Sequence, residues 1–273
     1  MVLPLGVSAP PYRRRPYLTG VLLAMLLAVF VHVLLLRDAP PALFCTDLTE
    51  SPQALSRSAD TVQGFVCRWG TVPDEVRRTG RWSTLATALF VHTGWLHLVG
   101  NLAFLAAFAP RVEEDLGHAG LLAVFLGCGV VSGGAHVLLD PGSTTPTIGA
   151  SGGVAGVLGV HLLLSRGASV RVLVGPVPMR LPSRFVISVW ALLQLGYTAV
   201  LLRRADPSSA VAYEVHAVGF LLGVLVVSVL RFARPDLGQW TGERPRGRTR
   251  IVVRRTVSLD GVGRRRHHAS HPG

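Results

Sequence analysis

The sequence predicts an all-α, polytopic membrane protein built as a bundle of six transmembrane helices. Three observations carry this expectation. Of its 273 residues, 49% are hydrophobic and 15% are charged, against roughly a quarter charged in soluble domains. Its mean hydropathy is positive, at +0.45. The charge falls in blocks, separated by apolar stretches long enough, at ~1.5 Å per residue, to cross a ~30 Å hydrocarbon core.

The elements follow in order. An N-terminal segment, residues 1–17, carries Arg13-Arg14-Arg15 ahead of an apolar run from Leu18 to Leu36. That run exceeds a signal-peptide core and no small-residue cleavage pattern follows it, so it reads as the first span. Residues 37–83 form a mixed, proline-containing loop. From Trp82 to Ala109 one helix would extend ~42 Å, too long for a single crossing. His92-Thr93-Gly94-Trp95 offers a break, which gives an interfacial segment at 82–93 and a second span from Trp95 to Val112. Arg111, Glu113, Glu114 and Asp115 close that span, and Glu113 is expected to brace its end.

Four more spans are expected at Ala119–Leu139, Ile148–Ser165, Phe185–Leu202 and Val211–Phe232. The connections Asp140–Thr147, Arg166–Arg184 and Arg203–Ala210 join them. The membrane domain is therefore residues 18–232, followed by a basic tail, 233–273, that is expected to be cytoplasmic and disordered. Arginine clusters in the N-terminal segment, the 166–184 connection and the tail, where eleven arginines lie between Arg231 and Arg266. By the positive-inside rule both termini are then cytoplasmic, in the cell membrane. The net charge of +12 thus fixes topology and can touch anionic lipid, and no nucleic-acid partner is expected. Three cysteines imply neither a disulfide framework nor a zinc site. Cys128 lies in an apolar stretch, whereas Cys45 and Cys67 share the first loop and are either bridged or free.

Ionisable residues inside membrane spans are costly and therefore mark candidate sites. Here they are His32, His97, His136, His161, Glu214 and His216, with Asn101 as an uncharged companion. Gly149-Ala150-Ser151-Gly152-Gly153 opens the fourth span. It fits Gly-x-Ser-x-Gly, but without the strand-turn-helix setting of a soluble hydrolase. Depth is the better argument. The second, fourth and sixth spans all run the same way, and His97, Asn101, Ser151 and His216 sit near their starts. A serine beside a histidine is the minimum unit for acyl transfer, since the hydroxyl needs a base. His97 and Asn101, four apart, share a helix face and can donate to a developing oxyanion together with the Ser151 backbone N–H. Gly149 with Gly153, Gly152 with Gly156, and Gly219 with Gly223 are small-xxx-small steps that let the fourth and sixth spans approach closely.

Several other residues read differently. Ser132 and His136, four apart on the third span, form a decoy pair without expected oxyanion donors. His32 and His161 read as packing or snorkelling residues, and His92 as a cap or loop partner of the second span. Glu214, two residues from His216, points to another helix face and is no third triad member. No His/Cys/Asp/Glu grouping has metal-ligand spacing, so neither metal nor cofactor is expected.

These residues carry a family resemblance. Phe90-Val91-His92-Thr93-Gly94-Trp95-Leu96-His97-Leu98-Val99-Gly100-Asn101, then Val112-Glu113 through Gly117, Gly149-Ala150-Ser151-Gly152 and His216-Ala217-Val218-Gly219 together resemble the rhomboid family of intramembrane serine proteases, over about residues 18–232. The resemblance implies a six-helix rhomboid-like bundle with Ser151 as nucleophile, His216 as base, and His97 and Asn101 at the oxyanion hole. Its substrates would be single-span membrane proteins. Two departures stand out. Trp82 is followed by Ser83 where the family often has Trp-Arg, and Ala155 occupies the place of an aromatic residue that stacks on the histidine in many members. His216 must then be oriented from elsewhere. The rival reading is a non-catalytic rhomboid-like protein that binds and escorts transmembrane helices, against which the Ser151 and His216 pair argues. A six-span transporter would show repeated halves, and none is evident. The sequence leaves the substrate, its cleavage preference and the oligomeric state open.

Overall fold

The computed structural model describes residues 2–8, 15–36, 45, 58, 60–165, 167–204, 213–234 and 237. The expected disordered tail lies outside the described residues apart from 233, 234 and 237, and so do Arg13 and Arg14. In chain order the elements are β1 (Val2–Ser8), α1 (Tyr17–Leu35), α2 (Val62–Trp69), α3 (Pro73–Thr79), α4 (Thr84–Thr87), α5 (Trp95–Leu139), α6 (Ser151–Leu164), β2 (Ser169–Val174), β3 (Val177–Pro182), α7 (Ser183–Arg204) and α8 (Tyr213–Ala233).

Helix α5 is two spans in one run. Gly117, at φ 77° and ψ 173°, breaks it, a conformation open to glycine because it has no Cβ. The second and third spans are its two arms, which with α1, α6, α7 and α8 makes six apolar helical segments among the described residues, and the architecture is the helical membrane bundle expected. Helices α1, α5, α7 and α8 are each long and apolar enough to cross a membrane. Helix α6 has 14 residues, about 21 Å of rise. It can be short because it is wrapped by protein: from Gly152 to His161 every residue is buried. By contrast α1 buries one stripe, Thr19, Leu22, Leu26, Phe30 and Val33, flanked by half-buried Leu18, Leu23 and Val29, and exposes its opposite face, the pattern of a helix with one face to the bundle and the other to lipid.

The end of the bundle where α1 starts and α6 finishes is fastened by polar contacts. Helix α1 begins on Glu113, whose carboxylate accepts the backbone N–H groups of Leu18 and Thr19, both at 2.8 Å, and the Thr19 hydroxyl at 2.6 Å. The first turn of a helix has orphan donors, and a carboxylate satisfies them while complementing the helix dipole. Glu113 therefore braces the start of α1 as well as the end of its own span. At the end of α6, Arg184 Nε and Arg231 Nη1 donate to the carbonyls of Leu162 and Leu163, at 3.2 and 3.3 Å.

Two connections differ from expectation. Residues 166–184 contain a β-hairpin, in which β2 and β3 pair antiparallel around a two-residue turn with Gly175 at φ 59°. The N-terminal segment adds β1 to its free edge, from Val2 opposite Val174 to Ser8 opposite Ser169. The resulting order is β1-β2-β3. Val170 and Val172, two apart, turn to one face of the sheet and are fully buried in the main core, as strand periodicity requires. In β1, Pro4 and Gly6 interrupt the alternation and the register shifts between them, which hides the strand in the sequence.

At the opposite end, the first loop is built against the turn that precedes α6. Cys45 and Cys67 form a disulfide. Thr71 and Thr147 exchange backbone hydrogen bonds of 3.0 and 2.8 Å, and Asp74 N–H donates to Ser143 O at 3.0 Å. The interfacial segment is α4 followed by a 3-10 turn, Ala88–Phe90. Its Ala88 carbonyl accepts the Gly149 N–H at 2.8 Å.

Candidate active site

Helix α6 starts at Ser151 rather than at Ile148, the start expected from hydropathy. The reason is Gly149, whose φ of 111° takes the chain through a tight turn that apolar counting does not register. Gly149 thus belongs to the turn and not to a small-residue face of α6. A Cβ on it would lie 2.5 Å from Cε1 and Nε2 of His97, so the bare backbone lets that ring sit against the turn.

His92 holds the same turn from behind. Its Nε2 lies 3.0 Å from Asn101 Nδ2 and 3.4 Å from the Ala150 backbone nitrogen. Both partners are donors, so Nε2 is unprotonated and Nδ1 carries the hydrogen, directed to Phe90 O at 3.4 Å. Burial, reinforced by His97, pushes the His92 imidazole down to about 4, which keeps it a neutral acceptor. From its place in the sequence His92 is expected to be a cap or loop contact. It is the strut between the second span and the turn before Ser151.

The glycines of α6 and α8 set the spacing of the two helices. A Cβ on Gly219 would come within 2.3 Å of Gly152 O, and one on Gly223 within 2.1 Å of Gly156 O. One on Gly152 would meet Ser132 Oγ at 2.3 Å and Val215 Cγ1 at 3.0 Å. The backbones therefore touch where Ser151 and His216 stand: Ser151 adjoins Gly152, and His216 lies beside Val215 and one turn before Gly219. Both side chains are half-buried.

The remaining candidates divide. His97 is exposed on the second span, with its ring 4.9 Å from that of His92. Asn101 is buried, and its amide nitrogen is engaged by His92 Nε2 and by His97 O at 3.1 Å. The two hydrogens of that amide are thereby directed inward, which makes Asn101 a link under His97 in this arrangement. The decoy pair is divided by its partners. Ser132 Oγ donates to Gly129 O at 3.0 Å, while His136 Nδ1 lies 2.7 Å from Glu214 Oε1. Glu214 accordingly serves the third span. An open, mainly apolar cavity of about 600 Å³, lined by Met25, Val29, His32, Phe65 and Trp69 among others, includes neither Ser151 nor His216 in its walls.

One residue that sequence reasoning passed over faces His216. Gln194 on α7 puts its Oε1 2.8 Å from His216 Nδ1, and the Trp190 ring lies 6.1 Å from the imidazole, centroid to centroid. The signal in the sequence is a polar amide within the apolar run Leu192-Leu193-Gln194-Leu195.

The fold and site define a polytopic helical membrane protein whose fourth and sixth spans meet backbone to backbone, with a serine and a histidine in the meeting turns. The rhomboid domain model matches residues 79–232, more than half of the chain, and the chain belongs to the rhomboid family. Among its relatives is the Bacillus subtilis (strain 168) protein named "Putative rhomboid protease YdcA", 34% identical over 85 residues, which are 31% of this chain and 42% of that protein. Two Arabidopsis thaliana proteins also match. Rhomboid-like protein 11, chloroplastic, is 37% identical over 83 residues, 30% of this chain and 29% of its own length. RHOMBOID-like protein 5 is 30% identical over 82 residues, 30% of this chain and 26% of its own. The matched stretches thus span less than half the length of these relatives.

Proposed function

We propose that this protein is an intramembrane serine endopeptidase that cleaves single-span membrane proteins near the outer end of their transmembrane helix through a Ser151–His216 dyad. The observation that carries this reading is the glycine contact between α6 and α8, which brings the first turns of the two helices together. His216 Nε2 takes the Ser151 proton as Oγ attacks the scissile carbonyl. The tetrahedral oxyanion is held by the Ser151 backbone N–H and by His97, with Asn101 supporting His97 or turning its amide outward. His216 returns the proton to the leaving amine. Water, activated by the same imidazole, then hydrolyses the acyl-enzyme. The substrate must present an extended backbone, because a helix hides its carbonyls, so segments weakened by Gly or Pro are favoured.

The site end of the bundle faces the exterior of the cell membrane and both termini are cytoplasmic in this reading. Its support is the Cys45–Cys67 bridge in the first loop, which suits an oxidising compartment, together with the arginine distribution. Reporter fusions should place residues 60 and 143 outside and residue 175 inside; residue 143 on the cytoplasmic side overturns the orientation. A fluorophosphonate probe should label the purified protein at Ser151. Labelling should vanish in Ser151→Ala, fall severely in His216→Ala and persist in Ser132→Ala. Labelling that survives Ser151→Ala refutes the nucleophile. A folded protein that neither labels nor cleaves any of a panel of tagged single-span proteins points instead to a helix-binding role.

A further inference from the structure

A dyad histidine needs its Nδ1 protonated so that Nε2 carries the lone pair. In the described residues around His216 the nearby carboxylate, Glu214, is bonded to His136 at 2.7 Å. The helix that carries the nucleophile offers Ala155, with no ring to stack on the imidazole. The group that does reach Nδ1 is the Gln194 carbonyl oxygen, at 2.8 Å from α7, 22 residues away in the chain. An amide oxygen accepts and cannot donate, so this contact fixes the hydrogen on Nδ1. Gln194 also has a physical reason to be held there, since an amide in an apolar stretch is costly unless hydrogen-bonded. Trp190, four residues earlier and so on the same face of α7, lies against the same imidazole with ring planes inclined at 39°. Tyr213 closes another side at 6.4 Å, edge to face.

We infer that Gln194 is a positioning residue that sets the tautomer and orientation of His216, so that α7 supplies what the nucleophile helix does not. The inference rests on the Ser151–His216 reading for its catalytic meaning, but the tautomer itself is open to measurement without any turnover. The other titratable groups around His216 are His97 on the second span, Tyr213 and Glu214 on its own helix, and His136 through Glu214.

The test uses the full chain in detergent with ¹⁵N-labelled histidine, in the parent, Gln194→Leu and Gln194→Glu. The parent should show His216 protonated on Nδ1. Gln194→Leu, which keeps the bulk and removes the acceptor, should lose that preference. Probe labelling of Ser151 and kcat should then fall about tenfold, the worth of one such hydrogen bond, with KM unchanged, as for a residue that acts through His216. Gln194→Glu keeps an acceptor and adds charge, so it should restore the tautomer and labelling and move the acid limb of the pH profile upward. That rescue separates loss of the acceptor from loss of the fold. A parent His216 protonated on Nε2, an unchanged tautomer in Gln194→Leu, or a Gln194→Glu variant as impaired as Gln194→Leu overturns the inference. Labelling that is indifferent to His216→Ala would instead sink the dyad reading while leaving the tautomer result standing.

Discussion

A methyl group on Gly219 would sit 2.3 Å from the carbonyl oxygen of Gly152 and 3.1 Å from its carbonyl carbon. Both obstacles are backbone, so no side chain can swing aside. Ordinary contact begins near 3.4 Å, and α6 and α8 would have to part by about 1 Å. Overpacking of this kind costs roughly 1–3 kcal/mol. The same displacement acts on Ser151, next to Gly152, and on His216, one turn before Gly219. The proposed proton transfer needs Ser151 Oγ and His216 Nε2 within hydrogen-bond reach, which an extra ~1 Å removes, and a misplacement of that size costs on the order of 100-fold in rate. Gly219→Ala should therefore lose about two orders of magnitude in labelling and cleavage while its unfolding midpoint in detergent falls only modestly. Gly223→Ala, with 2.1 Å to Gly156 O but two turns from His216, should be destabilised at least as much and lose less activity. Gly100→Ala and Gly127→Ala are the controls, because nothing lies within 4 Å of either position and alanine favours a helix by ~1 kcal/mol. Gly219→Ala with the labelling rate of Gly100→Ala would refute the reasoning.

Two further predictions concern the fastenings. Glu113→Ala strands the partly buried Leu18 and buried Thr19 N–H groups at the start of α1, at roughly 1–3 kcal/mol for the buried donor and less for the other. The unfolding midpoint should drop, and an unchanged midpoint would show that α1 is seated by packing alone. His92 ionises near 6.5 when unfolded and at about 4 when folded, so between those values the unfolded chain binds more protons. Stability should thus be lost as pH falls from about 6.5 to about 4, by up to ~3 kcal/mol from this group. His92→Gln, which retains an acceptor but does not titrate, should flatten that part of the stability curve, and identical slopes in the two proteins would contradict it.

The spans were legible because hydrocarbon imposes a single demand, an apolar helix about 20 residues long. Leu18–Leu36 and Val211–Phe232 fall within two residues of α1 and α8 at each end. The same demand misplaces the start of α6, since Ile148 is apolar enough to join the helix and only the φ of Gly149 excludes it. The β-sheet escaped for a different reason. Strand β1 contains Pro4 and Gly6 and has no regular alternation, and it exists because β2 offers an edge far away in sequence, with Ser8 opposite Ser169 and Val2 opposite Val174. The Cys45–Cys67 pairing was open because spacing alone does not determine which thiols meet.

For the candidate site, residue types and their depth along each span are readable from the chain alone. Ser151, His216, His97 and Asn101 stand near the starts of parallel spans, and depth in a bilayer follows from counting residues along a helix. Rotation about the helix axes and the partners of each polar atom are set by which faces pack, and that was decided only in three dimensions. Packing turned Asn101 toward His92, gave Glu214 to His136 and brought Gln194 to His216. Hydrogen bonds act over about 3 Å and depend on direction, whereas a one-dimensional pattern resolves position along a span to about a turn. Membrane insertion is therefore written in composition, and the chemistry of the imidazole is written in contacts between residues that the chain holds far apart.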